Sequence, residues 1–220
     1  MKIKKTLVIG GNGGIGHLLV GKLQTAAPGS VRAMARPGRI SDALSATGAE
    51  IVETDLLDDL DAALESVDAV VFSAGSGGST GADETLMVDL WGAVRVIKAC
   101  EARGIRRFVM VSSIGADDPR RGPESLQPYL AAKGAADEVL MRSDLDWTVI
   151  RPGRLTDDDE TGAVRLSADE AWPAVTRGDV AETLRGVLEA DGWVHRLASV
   201  FGGSKGESDE NIATSAIGEA

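Results

Sequence analysis

The sequence predicts a single α/β domain built on a doubly wound parallel sheet with helices on both faces. Three observations predict it. Short runs rich in valine and isoleucine alternate with segments of helical spacing, the pattern of repeated strand–helix units joined by right-handed crossovers. The runs do not alternate between apolar and polar residues, which is typical of parallel strands buried on both faces. Five of the seven residues from 10 to 16, just after the first run, are glycine.

Each strand is predicted from one short aliphatic run bounded by polar or turn-forming residues. The runs read TLVIG, SVRAMA, EIVE, VDAVVFS, RFVMVS and DWTVIR, and they give strands at 6–10, 30–35, 50–53, 67–73, 107–112 and 146–151. Between them, apolar residues recur at helical spacing in the segments 14–26, 40–47, 58–65, 84–103 and 126–142. A late helix at 179–190 and a last strand near 196–201 complete the prediction.

No compositional break marks a linker, so we predict one domain over residues 1–220. A cofactor-binding core would occupy about 1–152, and substrate-side segments with the last strand would occupy about 153–220. The tail from Gly202 onward is rich in Gly, Ser and Glu, and it either carries a short helix at 208–218 or frays.

Composition narrows the class of protein. With 23 basic and 34 acidic side chains the formal net charge is −11, which disfavours a nucleic-acid partner. Cys100 is the only cysteine, so an internal disulfide is excluded and a reducing compartment is favoured. No apolar run approaches the ~18 residues of a membrane span. We therefore expect a cytoplasmic protein with no membrane partner and no metal site.

The glycine string predicts a nucleotide site at the carboxyl edge of the sheet. Gly10, Gly13 and Gly16 have the spacing GxxGxxG at the head of the first helix. The first would permit a tight turn, the second would let a diphosphate approach the helix N-terminus, and the third would let the helix pack on its strand. The neighbours expected to share this site are Asn12, Gly14 and Ile15. The alternative is a tight turn that binds no ligand.

The tip of the second strand indicates which nucleotide. It ends in Arg36, with Arg39 three residues on, and it carries no acidic residue for a ribose 2′-hydroxyl. Two arginines suit a 2′-phosphate, so NADP is favoured over NAD, although NAD and merely solvated charges stay open. Asp55 and Leu56 could hold the adenine, or Asp55 could cap a helix. The small residues expected under the dinucleotide are Ser73, Ala74 and Gly75.

The stretch YLAAK places Tyr129 and Lys133 on one face of a predicted helix. An ammonium near a phenol favours the phenolate and lowers the tyrosine pKa toward the working range, which suits acid–base catalysis. The same lysine could hold the nicotinamide ribose. Ser112 and Ser113 end the fifth strand, where a serine could bond the substrate oxygen. The alternatives are a solvated i,i+4 pair and serines that cap a strand end.

These residues resemble the short-chain dehydrogenase/reductase superfamily, in its atypical, compact branch of NAD-dependent epimerase/dehydratase-like proteins, related to NmrA-like proteins and flavin reductases. The matching pieces cover nearly the whole chain: VIGGNGGIG, ARPGR, ETDLLD, VVFSAGSG, RRFVMVSSIGADDP, YLAAK, LDWTVIRPGRLTDD and TRGDVAETLRGVLE. The resemblance implies a Rossmann fold, hydride transfer with bound NAD(P), Tyr129 as proton donor or acceptor, and Ser113 as the active-site serine. It also implies that the segment covering the nicotinamide contains Pro152, Gly153, Arg154 and Leu155.

The chain departs from the branch pattern in several places. Its first turn reads GGNG, and His17 stands where the branch often has Arg, which removes a fixed charge near the diphosphate. Asp89 and Trp91 stand in a region where many members carry an Asn of a proton relay. At 220 residues the chain lacks most of the substrate domain of the sugar-nucleotide enzymes, which disfavours such a substrate.

We therefore expect an NADP(H)-dependent oxidoreductase for a small carbonyl or alcohol, with Ser113, Tyr129 and Lys133 catalytic. A flavin or quinone reductase, an epimerase/dehydratase-like sugar-modifying enzyme and a non-catalytic NmrA-like dinucleotide sensor stay open. The substrate would be lined by 75–82, 114–125 and 154–175, where Trp172 either walls the pocket or anchors the core. Helices 84–103 and 126–142 could pair in a homodimer, and a monomer is equally open.

Overall fold

A computed structural model describes residues 3–77, 80–166 and 173–203. The strands are β1 Thr6–Ile9, β2 Val31–Ala35, β3 Glu50–Glu53, β4 Ala69–Phe72, β5 Arg107–Val111, β6 Asp146–Pro152, β7 Arg154–Thr156, β8 Val164–Arg165, β9 Ala174–Thr176 and β10 Arg196–Gly202. The helices are α1 Gly14–Ala26, α2 Asp42–Ser45, α3 Asp61–Leu64, α4 Ala82–Thr85, α5 Ala93–Arg103, α6 Gln127–Met141 and α7 Arg177–Glu189. A π-helical segment, Leu86–Gly92, joins α4 to α5, and 3₁₀ turns occupy Pro119–Arg121, Glu124–Leu126 and Asp191–Trp193.

The main sheet has the strand order β3-β2-β1-β4-β5-β6-β10-β8. Every pairing in it is parallel except that of β10 with β8. The predicted doubly wound sheet is therefore confirmed. The order reverses direction between β1 and β4, and the carboxyl ends of these two strands border the crevice where such sheets bind ligands.

Alternate residues of each strand pack on opposite faces of the sheet. Val8 and Val71 belong to the apolar core under α1 and α7, whereas Ile9 and Phe72 belong to the core under α5 and α6. Both faces are covered, which explains why the central strand runs do not alternate between apolar and polar residues. Cys100 lies in the second core, and burial raises the pKa of its thiol to about 12.

Several elements differ from the prediction. The segment 84–103 was expected to be one helix, but Leu86–Gly92 in its first half is π-helical. Helices α2 and α3 are also shorter than the predicted 40–47 and 58–65. The strands β7, β8 and β9 were not predicted, because two or three residues carry no readable period. The predicted helix at 208–218 and Trp172 lie outside the described residues. Within the three described stretches, every helix is too short or too polar to span a bilayer.

The turn after β1 requires glycine at two positions. Gly10 has φ +82°, a left-handed conformation, and a Cβ there would lie 2.7 Å from the backbone nitrogen of Ala74. A Cβ on Gly16 would lie 2.1 Å from the carbonyl oxygen of Gly10. The first turn of α1 therefore packs directly on the turn that precedes it, and this contact sets the helix N-terminus at the sheet edge.

We predict that Gly16→Ala destabilises the protein and that Gly21→Ala, in the same helix, does not. The first methyl group meets rigid backbone, and such overpacking costs about 1–3 kcal/mol. A methyl group on Gly21 would lie 3.9 Å from Cγ2 of Thr47, an ordinary contact. Gly21→Ala should therefore stabilise the helix by up to ~1 kcal/mol, because alanine has the higher helix propensity. Urea denaturation measures both changes, and a Gly16→Ala protein as stable as wild type would contradict the packing described.

Candidate functional site

Two clefts lie side by side at the carboxyl edge of the sheet and share the wall Ser73–Ser76. The arginine cleft, about 340 Å³, contains the predicted residues Gly10, Asn12, Gly13, Arg36, Arg39, Asp55 and Leu56. The tyrosine cleft, about 430 Å³, contains the predicted residues Gly14, Ile15, Tyr129, Lys133 and Leu155. Because they share a wall that includes Ser73, Ala74 and Gly75, the two clefts form one groove across the end of β4.

The N-terminus of α1 opens onto this groove. Its N-cap is Gly13, which has no side chain to bond the first helical amides, and its first turn holds no acidic residue. The amides of Gly14 and Ile15 precede the first intrahelical bond, which His17 donates to Gly13. Uncapped amides and the helix dipole both favour an anion at this point.

Asn12 fixes the loop that carries the two arginines. Its Nδ2 donates to the carbonyl oxygen of Arg39 at 2.6 Å, and its Oδ1 accepts from the amide of Ser41 at 2.8 Å. The amide of Gly38 donates to Glu53 at 2.8 Å. The Asn12 side chain is thus used to hold the loop between β2 and α2.

Arg36 and Arg39 are exposed, and neither guanidinium forms a hydrogen bond or an ion pair with another residue in the described parts of the chain. Two unpaired cations at the tip of β2 can receive an anionic group. Asp55 accepts a hydrogen bond from the amide of Leu57 at 3.0 Å, in a local turn. It does not cap α3, whose N-cap is Leu60.

Lys133 lies buried in the wall of the tyrosine cleft. Its ammonium donates to the carbonyl oxygens of Ala74 at 3.2 Å and Val111 at 3.1 Å, and it lies 3.1 Å from a carboxylate oxygen of Asp89. The other carboxylate oxygen accepts from the amide of Ser76 at 3.0 Å. In this arrangement the lysine joins α6 to the wall that the two clefts share.

The environment of Tyr129 corrects one expectation. Burial raises its pKa most strongly; Lys133 lowers it, Asp89 raises it again, and contact with the Ser113 side chain lowers it. The net effect raises the pKa above its usual value, instead of lowering it toward neutrality. The lysine acts in the predicted direction, but burial and the carboxylate of Asp89 outweigh it.

A second buried charge pair lies behind the same cleft. Ser112 lines the cleft, and its hydroxyl donates to Asp137 at 2.7 Å. Arg151 donates to the same carboxylate oxygen through Nε at 3.1 Å and Nη2 at 2.9 Å. The spacing of Asp137, four residues after Lys133, was the available sequence signal for this network.

Not every predicted residue reaches the groove. Among the residues that the structure describes, those that line neither cleft are Gly16, Ser113, Pro152, Gly153 and Arg154, although the Ser113 side chain contacts Tyr129. The hydroxyl of Ser113 donates to the carbonyl oxygen of Ile114 at 3.1 Å. Gly153 donates to Val200, and a Cβ there would lie 2.1 Å from the carbonyl oxygen of Pro173. Lining residues that the sequence did not indicate include Glu84, Leu126 and Arg177, whereas Ser76 lies in the predicted lining segment 75–82.

Residues 10–191 match the model of a family described as NAD(P)H-binding. The chain is 43% identical over 188 residues to YhfK of Bacillus subtilis (strain 168), named an uncharacterized sugar epimerase, covering 84% of this chain and 88% of that one. It superimposes with a TM-score of 0.89 and 39% identity on a Bacillus halodurans protein provisionally named an NAD-dependent epimerase/dehydratase, covering 97% and 98%. The oxidoreductase ylbE of Lactococcus lactis gives a TM-score of 0.77 and 28% identity, covering 91% of each chain.

We predict that Arg151→Leu destabilises the protein by about 3–5 kcal/mol, because it leaves the Asp137 carboxylate buried without its cation. Burial already raises the pKa of Asp137, and Arg151 opposes this. Without the arginine the pKa rises further. When the pKa of an acid is higher in the folded protein than in the unfolded chain, the folded state binds the proton more tightly. The free energy of unfolding is then highest below the unfolded-state pKa, and it falls as pH rises through the folded-state pKa. Urea denaturation should therefore find a larger loss at about pH 8 than at about pH 5.

Two further variants test this account. Arg154→Leu removes an exposed arginine that has no side-chain partner among the described residues, and it should change stability by less than about 0.5 kcal/mol. Asp137→Asn added to Arg151→Leu should recover stability and remove the pH dependence. A pH-independent loss in Arg151→Leu alone would contradict the assigned cause.

Proposed function

This chain belongs to the NAD(P)H-binding family, and from that premise we propose that it is an NADP(H)-dependent oxidoreductase that reduces a small carbonyl substrate. One observation carries the proposal. A single groove leads from two unpaired arginines, past an uncapped helix N-terminus, to a tyrosine. These are a 2′-phosphate site, a diphosphate site and a proton donor in the order that a dinucleotide would meet them.

The residues present fit the cofactor. The amides at the start of α1 would bind the diphosphate, and the turn around Gly10 and Gly16 leaves no room for side chains. Arg36 and Arg39 would bind the 2′-phosphate, by bidentate hydrogen bonds or by stacking on the adenine. The nicotinamide ring, when bound, supplies the hydride.

Tyr129 is suited to donate a proton. Since its pKa is raised, the hydroxyl stays protonated through the neutral range and can pass its proton to the oxygen of a carbonyl that is being reduced. Lys133 is committed to Ala74, Val111 and Asp89, so we assign it to positioning the wall of the cleft and the helix that carries Tyr129. This supports reduction rather than alcohol oxidation, which would need the tyrosine as a base.

The size of the tyrosine cleft limits the substrate. Its volume of about 430 Å³ has to hold the nicotinamide riboside as well as the substrate. Binding sites for drug-sized molecules measure about 300–1,000 Å³, so little is left for a second large ligand. This supports a substrate of a few carbon atoms.

A sugar epimerase is the second candidate, because the relative YhfK is named as one. An epimerase returns its hydride to the substrate and leaves the cofactor unchanged at the end of each turnover. A reductase consumes one NADPH for each product molecule. Following NADPH absorbance alongside product formation separates the two reactions.

We predict that NADP⁺ raises the melting temperature more than NAD⁺ and that Arg36→Ala abolishes the difference. A hydrogen bond to a charged group contributes about 1.5–3 kcal/mol, so NADP⁺ affinity should fall roughly ten- to a hundred-fold. A folded-state ligand stabilises according to its affinity, and a thermal-shift titration measures this. Arg142→Ala, an exposed arginine paired with Glu138 on α6, is the matched control and should keep the preference. Equal shifts for both nucleotides in wild type would contradict the assignment of the arginines.

We predict that Tyr129→Phe lowers kcat for carbonyl reduction by about 10²–10⁴-fold and leaves NADPH affinity unchanged, because only the proton donor is lost. Stopped-flow or steady-state NADPH oxidation across a panel of small aldehydes and ketones measures this. Wild-type kcat should stay level through neutral pH and fall only above ~10, the ordinary pKa of tyrosine, because the pKa of Tyr129 is raised.

The same variant separates the reductase classes. Flavin or quinone reduction that survives in Tyr129→Phe would favour direct hydride transfer without a protein acid. Unchanged carbonyl reduction in the variant would remove the role assigned to Tyr129. Tight binding of both NADP⁺ and NADPH without turnover of any panel member would favour a sensor.

A further inference from the structure

Arg177, the first residue of α7, reaches across to the first residue of α1. A Cβ on Gly14 would lie 2.7 Å from Cδ and 2.8 Å from Nε of Arg177, so the arginine side chain passes directly over this glycine. Arg177 also lines the tyrosine cleft. The guanidinium therefore lies beside the uncapped helix N-terminus described above.

The start of α7 is held firmly. Thr176 is its N-cap and accepts a hydrogen bond from the amide of Asp179 at 3.0 Å. The buried carboxylate of Asp179 in turn accepts from the hydroxyl of Thr176 at 2.9 Å and from the amides of Thr161 and Gly162. Because α1 and α7 also pack together in one apolar core, the base of Arg177 is fixed relative to Gly14.

Among the described residues, no other free cationic side chain lies at the start of α1. His17, in the first turns of α1, bonds through Nδ1 to the carbonyl oxygen of Gly13 at 3.0 Å. Of the basic residues found to line the tyrosine cleft, Lys133 is committed to three protein oxygen atoms, which leaves Arg177. In a protein of net charge −11, a local cation matters for holding an ionised diphosphate.

Most of the donors of Arg177 are available. Nη1 donates to Asp157 at 2.7 Å, and Asp157 has 88% of its side chain exposed. Nε and Nη2 have no hydrogen-bond partner among the described residues. An exposed ion pair contributes little to stability, so the guanidinium can change partner at little cost.

We propose that Arg177 is a diphosphate-binding residue, which supplies from α7 the charge that the glycine turn lacks. The inference rests on the proposed function, since it presumes that a dinucleotide occupies the groove. A guanidinium matches phosphate oxygens through paired N–H donors, and the amides of α1 bind the same group from the other side.

Two fragments of the cofactor test the proposal without any turnover. ADP-ribose contains the diphosphate but no 2′-phosphate, and adenosine 2′-monophosphate contains the 2′-phosphate but no diphosphate. Titration calorimetry measures the affinity for each ligand. Arg177→Ala should lower the affinity for ADP-ribose and for NADPH by roughly ten- to a hundred-fold and leave the affinity for adenosine 2′-monophosphate unchanged. Arg36→Ala should weaken NADPH and adenosine 2′-monophosphate and leave ADP-ribose unchanged.

A matched variant excludes an indirect effect through the acidic loop. Asp157→Asn breaks the same ion pair but keeps the arginine, so it should leave ADP-ribose affinity equal or up to about five-fold tighter. The assignment is overturned if Asp157→Asn and Arg177→Ala lower the ADP-ribose affinity equally. It is also overturned if Arg177→Ala lowers the affinity for neither ADP-ribose nor NADPH. In both cases the proposal that the protein binds a nucleotide stands. If wild type binds none of the three ligands, the proposed function fails and this inference fails with it.

Discussion

The ammonium of Lys133 is fixed where α6 meets the ends of β4 and β5, and the groove takes its shape from that contact. Removing this charge from water is costly, and two backbone carbonyls with the carboxylate of Asp89 offset the cost. Asp89 also holds the amide of Ser76. The strip of backbone between the two clefts is therefore bound from both sides by one buried ion pair, and Tyr129 faces a lysine whose charge is largely neutralised.

The second ion pair, Asp137 with Arg151, lies behind the first on the same helix, and Ser112 connects it to the cleft. Buried pairs of this kind are often no more stable than apolar residues of similar volume. Their position is more informative than their energy. Both pairs lie under the tyrosine cleft, whereas the apolar cores on the two faces of the sheet supply the packing. Charge is concentrated where proton transfer is proposed.

The sheet could be predicted from the sequence because its central strands β1, β2, β4 and β5 are buried on both faces, so each is recognised from its own apolar residues. The glycine turn and the tip of β2 could be predicted as well, since spacing and residue type carry their meaning locally. The partner of Lys133 could not. Asp89 lies 44 positions earlier in the chain, and no pattern in the sequence links the two residues. Arg177 shows the same limit, because the packing of α1 against α7 brings it to Gly14.

The short strands after β6 and the π-helical segment were missed for another reason. Two or three residues cannot display a period, and the one extra residue of a π turn is a small irregularity within the apolar pattern of a long helix. The sequence therefore supported one continuous helix over 84–103, and the structure corrects this at Leu86–Gly92.

That segment has an evolutionary consequence. A π turn holds one more residue than an α turn, and each residue of an α-helix advances the side-chain direction by about 100°. Deleting a single codon within Leu86–Gly92 would restore a regular helix and turn Asp89 or its neighbours away from the lysine. One insertion in an ancestral gene could equally have brought the carboxylate inward. The pKa of Tyr129, which Asp89 raises, thus depends on the number of residues in this one segment.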